Sequence, residues 1–244
     1  EWICGEDENS KMSRASGVID KFFKNDDLSN KKFLDFGCGE GHVAYVAATL
    51  HDAALSIGYD PKSSACKSYE KIKPNFFLTD NLDEVVLNST YDFILLNDVL
   101  DHSSDPLAVL EQVKKIKGPN CKIIMRCHPW TSRHGTHVYK QVNKAFLHLV
   151  FTPDEIFAMG LKEQFAQQVL DPLSFYRDLI KQTELKIVKE DITTCPVEIF
   201  FTQNEEIMRR IKDKWKTSTD PELRNGTKFP RDVLEIEFVD YWLE

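Results

Sequence analysis

Apolar positions along the chain fall into two rhythms. Between Asn9 and Phe23, the residues Met12, Ala15, Val18, Ile19, Phe22 and Phe23 recur at helical spacing and predict an amphipathic helix. After a polar break from Lys24 to Lys31, short apolar runs alternate with helical stretches. The runs Lys32–Phe36, Ala54–Tyr59, Asn75–Thr79, Tyr91–Leu96 and Lys122–Met125 predict strands. Helices are predicted over His42–Leu50, over Ser63–Lys73 (stopped by Pro74), over Leu82–Leu87, and from Pro106 to just before Gly118-Pro119. Tyr91–Leu96 is apolar enough to be buried on both faces. Strands alternating with helices in this way require right-handed crossovers, hence a Rossmann-like, doubly wound, mostly parallel α/β sheet with helices on both faces.

After Cys127 the rhythm breaks. The stretch 128–151 is too long for a turn, and long loops in compact domains are usually functional. Helical signals return at Pro153–Met159 and Pro172–Gln182. Leu185–Ile192 and Val197–Thr202, parted by a Pro-containing turn, are expected to close a seven-stranded sheet, the last strand antiparallel. The tail holds an amphipathic helix marked by Ile207, Ile211 and Trp215, a Pro/Gly-rich link, and a β-like run Val233–Trp242. That run suits an extra sheet strand or a homodimer contact. The organisation expected is a helical cap over 1–30, an α/β domain over 31–202 with a loop at 127–151, and an extension over 203–244.

Charge and composition narrow the partners. With 39 acidic and 31 basic residues, the net charge is −8, which repels phosphate backbones and disfavours nucleic acid. No run approaches the roughly 20 apolar residues that cross a bilayer, and the N-terminus carries no basic-then-apolar export signal. The six cysteines form no C-x-x-C pair, so reduced thiols in a cytoplasmic protein are expected.

The segment Leu34-Asp35-Phe36-Gly37-Cys38-Gly39-Glu40-Gly41 joins the first strand to the first helix. Glycines there let a ligand approach the backbone closely. A dinucleotide fingerprint would need its third glycine where His42 stands, and Asp35 would repel a pyrophosphate while attracting an ammonium group. Asp60 and Asp80 end the second and third strands. A carboxylate at the first position suits ribose hydroxyls, and one at the second suits an adenine amino group; singly, each also suits a helix N-cap. Together, the three acids line the crevice where open α/β sheets bind ligands.

These residues resemble the first three motifs of class I S-adenosylmethionine-dependent methyltransferases. Tyr91–His102, running on through Asp105-Pro106-Leu107, resembles that family's fourth strand and the turn after it in the small-molecule branch. Gly118–Ile124 and His148–Glu155 continue the similarity, which spans residues 30 to 202. The resemblance implies that Gly37 and Gly39 present backbone to the methionine part of the cofactor, with Asp35 near its amino group. It implies that Asp60 holds the ribose, that Asp80 and the Asn81 backbone meet the adenine, and that Phe36, Cys38, Pro61 and Thr79 complete the contacts. Asn97 and Asp98 would border the methyl group and the acceptor. The implied reaction is methyl transfer to a small-molecule acceptor, at oxygen or nitrogen rather than carbon, with S-adenosylhomocysteine released. No N-P-P-Y or D-P-P-Y follows the fourth strand, so methylation of an adenine or glutamine amide by that route is not expected. A non-catalytic cofactor-binding subunit and a nicotinamide-dependent oxidoreductase are the rivals.

Three of the seven histidines, His128, His134 and His137, crowd the loop after the fifth strand, beside Trp130, Arg133 and Tyr139. Acceptor recognition with one histidine as general base is one reading, since imidazole titrates near pH 6.5. A zinc site from Cys127, His128, His134 and His137 is another, and a structural loop a third. Methyl transfer from a sulfonium needs no metal, so none is assigned. His128, nearest the strand end, is the first choice of base and His102 the second.

Overall fold

A computed structural model describes residues 7–67, 73–142, 144–163, 165–197, 203–228 and 231–244. In chain order it has α1 (Glu8–Phe23), β1 (Lys32–Phe36), α2 (His42–Leu50), β2 (Leu55–Tyr59), α3 (Ser64–Lys67), β3 (Phe76–Thr79), α4 (Leu82–Leu87) and β4 (Tyr91–Asn97). Then come α5 (Pro106–Ile116), β5 (Lys117–Cys127), α6 (Leu147–Val150), α7 (Pro153–Ala158), α8 (Pro172–Gln182), β6 (Ile187–Thr194), α9 (Glu205–Trp215) and β7 (Ile236–Leu243).

The seven strands pair in the order β3-β2-β1-β4-β5-β7-β6. The links from β3 through β5 are parallel, while β7 runs antiparallel to both its neighbours. Side chains of the central strands alternate between two cores. Leu34, Ile94, Leu96, Ile123 and Met125 face one, which α5 and α8 cover with Leu110, Val113 and Ile180. Phe33, Phe93, Leu95 and Ile124 face the other, which α1 and α2 cover with Ile19, Phe22, Phe23 and Val46. A strand buried on both faces reads as a continuous apolar run, which is why β4 was legible in the sequence.

The closing pair differs from expectation. β6 pairs with β7 at the C-terminal end of the chain. Most of the expected strand, residues 198–202, lies outside the described residues. The run expected as a tail strand instead fills the slot between β5 and β6, so both its edges are occupied. Its register is fixed by Asp240, directly opposite Arg126. The fully buried Asp240 carboxylate accepts from Arg126 Nε at 2.7 Å and Nη2 at 2.9 Å, and from Lys21 Nζ at 2.7 Å. One buried acid thus ties α1, β5 and β7 together.

A third core lies over the loop after β5. Trp130, Phe146 and Leu149 from the loop pack with Phe165 and with Met208, Ile211 and Trp215 of α9. No helix among the described residues is long and apolar enough to cross a membrane.

Candidate active site

Two clefts open at the carboxyl ends of the parallel strands and share Gly37 in their walls. The first, of about 340 Å³, lies between α1 (Lys11, Arg14, Val18) and the turn after β1 (Asp35, Gly37 to Glu40), with Asn97 at its end. The second, of about 480 Å³, has apolar walls from Phe36, Tyr59, Leu82 and Val99, and polar ones from Asp60, Asp98 and His102. The consecutive residues Asn97 and Asp98, leaving β4, therefore line different clefts.

The glycine turn explains why the clefts meet. Gly37 holds φ at +80°, and a Cβ there would lie 2.5 Å from Val99 Cγ2, so no side chain fits. Its N–H donates to the Tyr59 carbonyl at 2.7 Å, anchoring the turn to β2. Cys38 places its sulfur 3.6 Å from that of Cys66, and this contact, together with burial, pushes the Cys38 thiol up. The Gly39 N–H donates to Asp60 Oδ2 at 3.0 Å. Asp60 Oδ1 accepts from the backbone N–H of Lys62 (2.8 Å) and Ser63 (3.1 Å). The carboxylate thus organises two turns, and since each of its oxygens can accept two bonds, Oδ2 keeps capacity for a ligand hydroxyl. Pro61 lines the second cleft beside it.

Asp35 is buried beneath the turn, and burial pushes its carboxyl up to about 7; a hydrogen bond from the Ala44 N–H opposes the shift and the charge of Asp60 adds to it. The end of β3 contributes less than expected. The Asp80 side chain is exposed and lines neither cleft. Thr79 is buried, its hydroxyl bonded to Glu84 and accepting from the Asn81 N–H at 3.0 Å. Asn81 caps α4, its Oδ1 accepting from the Asp83 N–H at 2.9 Å.

Past β4 the chain is strained and polar. Asp98 sits in the left-handed region at φ +55°, unusual for a residue with a side chain and common at functional sites. Asn97 Nδ2 donates to Asp98 Oδ2 at 3.3 Å, while Asn97 Oδ1 and Asp98 Oδ1 are buried without a partner. Burial pushes the Asp98 carboxyl up to about 6, with Arg126 opposing and Asp240 adding to the shift. Asp101 is fully buried, and among the described residues neither of its carboxylate oxygens has a hydrogen-bond partner; burial and its neighbour Asp98 push its carboxyl well up.

The two histidines chosen from the sequence part company. His102 lines the second cleft, its Nε2 3.6 Å from Asp101 Oδ2 and its ring against Phe165 and His137. His128 is buried outside both clefts, with Nε2 at 2.5 Å from Ser132 Oγ. Burial and the neighbouring histidines push its imidazole down to about 3, so it is neutral at pH 7. The loop that carries it is packed tightly. A Cβ on Gly135 would lie 2.0 Å from the Trp130 carbonyl, which itself lies 2.5 Å from His148 Nε2. Lys214 of α9 donates to the His148 and Phe151 carbonyls, closing the loop from above. Among the described residues, no three of Cys127, His128, His134 and His137 bring ligand atoms within 4.8 Å of one another. The one such trio is Glu8, Glu40 and His42, where the Lys11 ammonium already lies 3.1 Å from Glu8 and 2.6 Å from Glu40.

Sequence reasoning missed Lys11, Arg14, Tyr59 and Val99 as cleft walls. Tyr59 and Val99 adjoin motif residues and carry ordinary core signals. Lys11 and Arg14 fall on the polar face of α1, where only tertiary packing reveals their role.

A family model for a methyltransferase domain matches residues 9–151, more than half of the chain. The chain belongs to this methyltransferase family. None of the curated proteins matches it. Among solved structures, an S-adenosylmethionine-dependent methyltransferase from Mesorhizobium loti is 14% identical, with a TM-score of 0.53 and coverage of 95% of each chain. A putative one from Listeria monocytogenes is 13% identical, with a TM-score of 0.54 and coverage of 95% of this chain and 97% of its own. Magnesium protoporphyrin IX methyltransferase from Synechocystis PCC 6803, crystallised with S-adenosylhomocysteine, is 12% identical, with a TM-score of 0.51, covering 99% of this chain and 89% of its own. At these identities the likeness is one of fold.

Proposed function

We propose that this methyltransferase transfers a methyl group from S-adenosylmethionine to a small-molecule acceptor at oxygen or nitrogen. The observation that carries the reading is the pair of clefts joined at Gly37, one polar and one largely apolar, with Asn97 and Asp98 at the junction. S-adenosylmethionine has a matching division, an amino-acid end and an adenosine end joined at the sulfonium. When bound, it supplies a methyl carbon on a leaving group that is already activated.

The residues fit both ends. Asp35 is a buried acid without a cationic partner among its contacts, suited to the amino group, and its ionisation is favoured once that group arrives. Arg14, beside a Lys11 already paired with Glu8 and Glu40, supplies positive charge on the opposite wall for a carboxylate. Gly37 and Gly39 bring backbone close where side chains would intrude, with Phe36 and Cys38 between and beside them. Asp60 has acceptor capacity for the ribose, flanked by Pro61. Tyr59, Leu82 and Val99 offer apolar surface to a purine, with Thr79 and Asn81 shaping the end of β3 and Asp80 at its exposed rim. His102, beside Asp101 and open to the cleft, suits a general base better than the sealed, neutral His128. Holding acceptor and methyl carbon in line at the junction supplies much of the rate.

Calorimetric titration with S-adenosylmethionine, S-adenosylhomocysteine and NAD tests this reading. Micromolar binding of the sulfur ligands, lost in Asp60→Ala and absent for NAD, is expected. Binding of NAD in preference to either would transfer the clefts to the oxidoreductase rival. Tight S-adenosylmethionine binding with no methyl transfer to any acceptor would favour the non-catalytic subunit.

A further inference from the structure

Resting on that reading, the junction of the clefts also indicates what the acceptor brings. Among the described residues, two acceptor atoms in the cleft walls are buried without a donor, Asn97 Oδ1 and Asp98 Oδ1, and so are both carboxylate oxygens of Asp101, which lies behind the walls and lines neither cleft. Asp101 is fully buried, and leaving such a group unsatisfied is costly, the more so when it is charged. We propose that this methyltransferase acts on a small primary or secondary amine, held as its ammonium form against Asp98, with the Asp101 carboxyl buried behind it.

The donor count favours this class. A primary ammonium brings three N–H donors and a positive charge, whereas a hydroxyl brings one donor and no charge. A carboxylic acid acceptor would arrive ionised and be repelled by whichever carboxyl of the pair is ionised. Two neighbouring buried carboxyls resist ionising together, so the pair holds on to a proton in the free protein, and a cation beside Asp98 reverses that preference. The groups facing the pair are Arg126 and Asp240 behind Asp98, and Cys127, Tyr176 and His102 around Asp101. Of these, only Arg126 carries a fixed positive charge, and its guanidinium is already held in a two-point contact by Asp240. The Phe165 ring, edge-on to His102 at 4.9 Å, adds an aromatic wall compatible with a cation.

The chemistry balances. The bound ammonium loses one N–H proton to His102, 3.6 Å from the Asp101 carboxylate that steadies the imidazolium formed. The freed lone pair forms the new N–C bond as the methyl carbon's bond to sulfur breaks, its electron pair staying on sulfur. The product leaves as the methylated ammonium.

The test uses the whole protein saturated with S-adenosylhomocysteine, titrated calorimetrically with methylamine, pyrrolidine, benzylamine and phenethylamine. The matched probes are methanol, cyclopentanol, benzyl alcohol and phenethyl alcohol. At least one amine is expected to bind tenfold or more tightly than its alcohol, with that margin lost in Asp98→Asn and reduced in Asp101→Asn. The wild-type comparison stands even if a variant fails to fold. Equal or weaker binding of every amine than of its alcohol overturns the proposal, and no binding by any probe counts as equal. Failure of S-adenosylhomocysteine itself to bind would instead overturn the cofactor reading beneath it.

Discussion

Asp35 is expected to weaken the free protein in order to serve its ligand, and Asp35→Asn separates the two effects. In the unfolded chain the carboxyl titrates near its ordinary value of 3.8, while in the fold burial pushes it up to about 7. Below 3.8 the group is protonated in both states and costs nothing; as pH rises to about 7, the unfolded state ionises first and the fold loses stability. At about 1.4 kcal/mol per pH unit, this loss amounts to about 2 kcal/mol at pH 5 and about 4 kcal/mol at pH 8, as an upper bound. Asparagine keeps the oxygen that accepts from the Ala44 N–H but does not titrate. The stability of Asp35→Asn relative to wild type should therefore climb by about 2–3 kcal/mol between pH 5 and pH 8. Urea unfolding at half-unit pH steps reads the difference, and its pH dependence is insensitive to any constant packing cost of the amide. The same substitution removes the proposed partner of the ligand's amino group, so S-adenosylhomocysteine affinity should fall tenfold or more. A flat difference across that pH range would refute the buried-acid argument. Unchanged affinity would refute the assigned role even if the stability trend appeared.

Three further outcomes follow from the geometry. Wild-type affinity for S-adenosylhomocysteine should rise from pH 5.5 to 7.5 as Asp35 ionises, with the rise absent in Asp35→Asn; calorimetry across that range decides it. Gly37→Ala must accept a left-handed φ, costing about 1–2 kcal/mol, and a Cβ 2.5 Å from Val99 Cγ2, so it should destabilise the fold and weaken sulfur-ligand binding together. Ligand binding at wild-type affinity would show that the turn is not a contact surface. Asp240→Asn leaves Arg126 and Lys21 without their shared carboxylate and should cost about 3 kcal/mol or more, lowering the melting temperature by roughly 6–12 °C in a scanning measurement; a drop below 2 °C would contradict the three-element tie.

How much of this was legible beforehand depended on how far apart the partners lie in sequence. The five parallel strands, the helices between them and the turn Asp35–Gly41 announce themselves within windows of about fifteen residues, because burial on both faces and glycine punctuation are local signals. The seventh strand was not decidable in the same way. Val197–Thr202 and Val233–Trp242 are equally β-like, and the choice rests on Asp240 meeting Arg126 across 114 positions and on Lys21 reaching the same carboxylate from across 219. A single charged residue inside an apolar run looks like an interruption until its partners are known. The same holds for the site. Asp60 and Asp35 could be named because strand ends are legible, whereas the choice between His102 and His128 turned on burial, which puts one in the cleft wall and seals the other behind Ser132. Asp101 passed unnoticed since nothing in Val99-Leu100-Asp101-His102 says that its oxygens will lack donors. Its burial beside a histidine is a property of the assembled loop, and it is there, not in the glycine turn shared with any cofactor-binding relative, that the choice of acceptor is expected to be written.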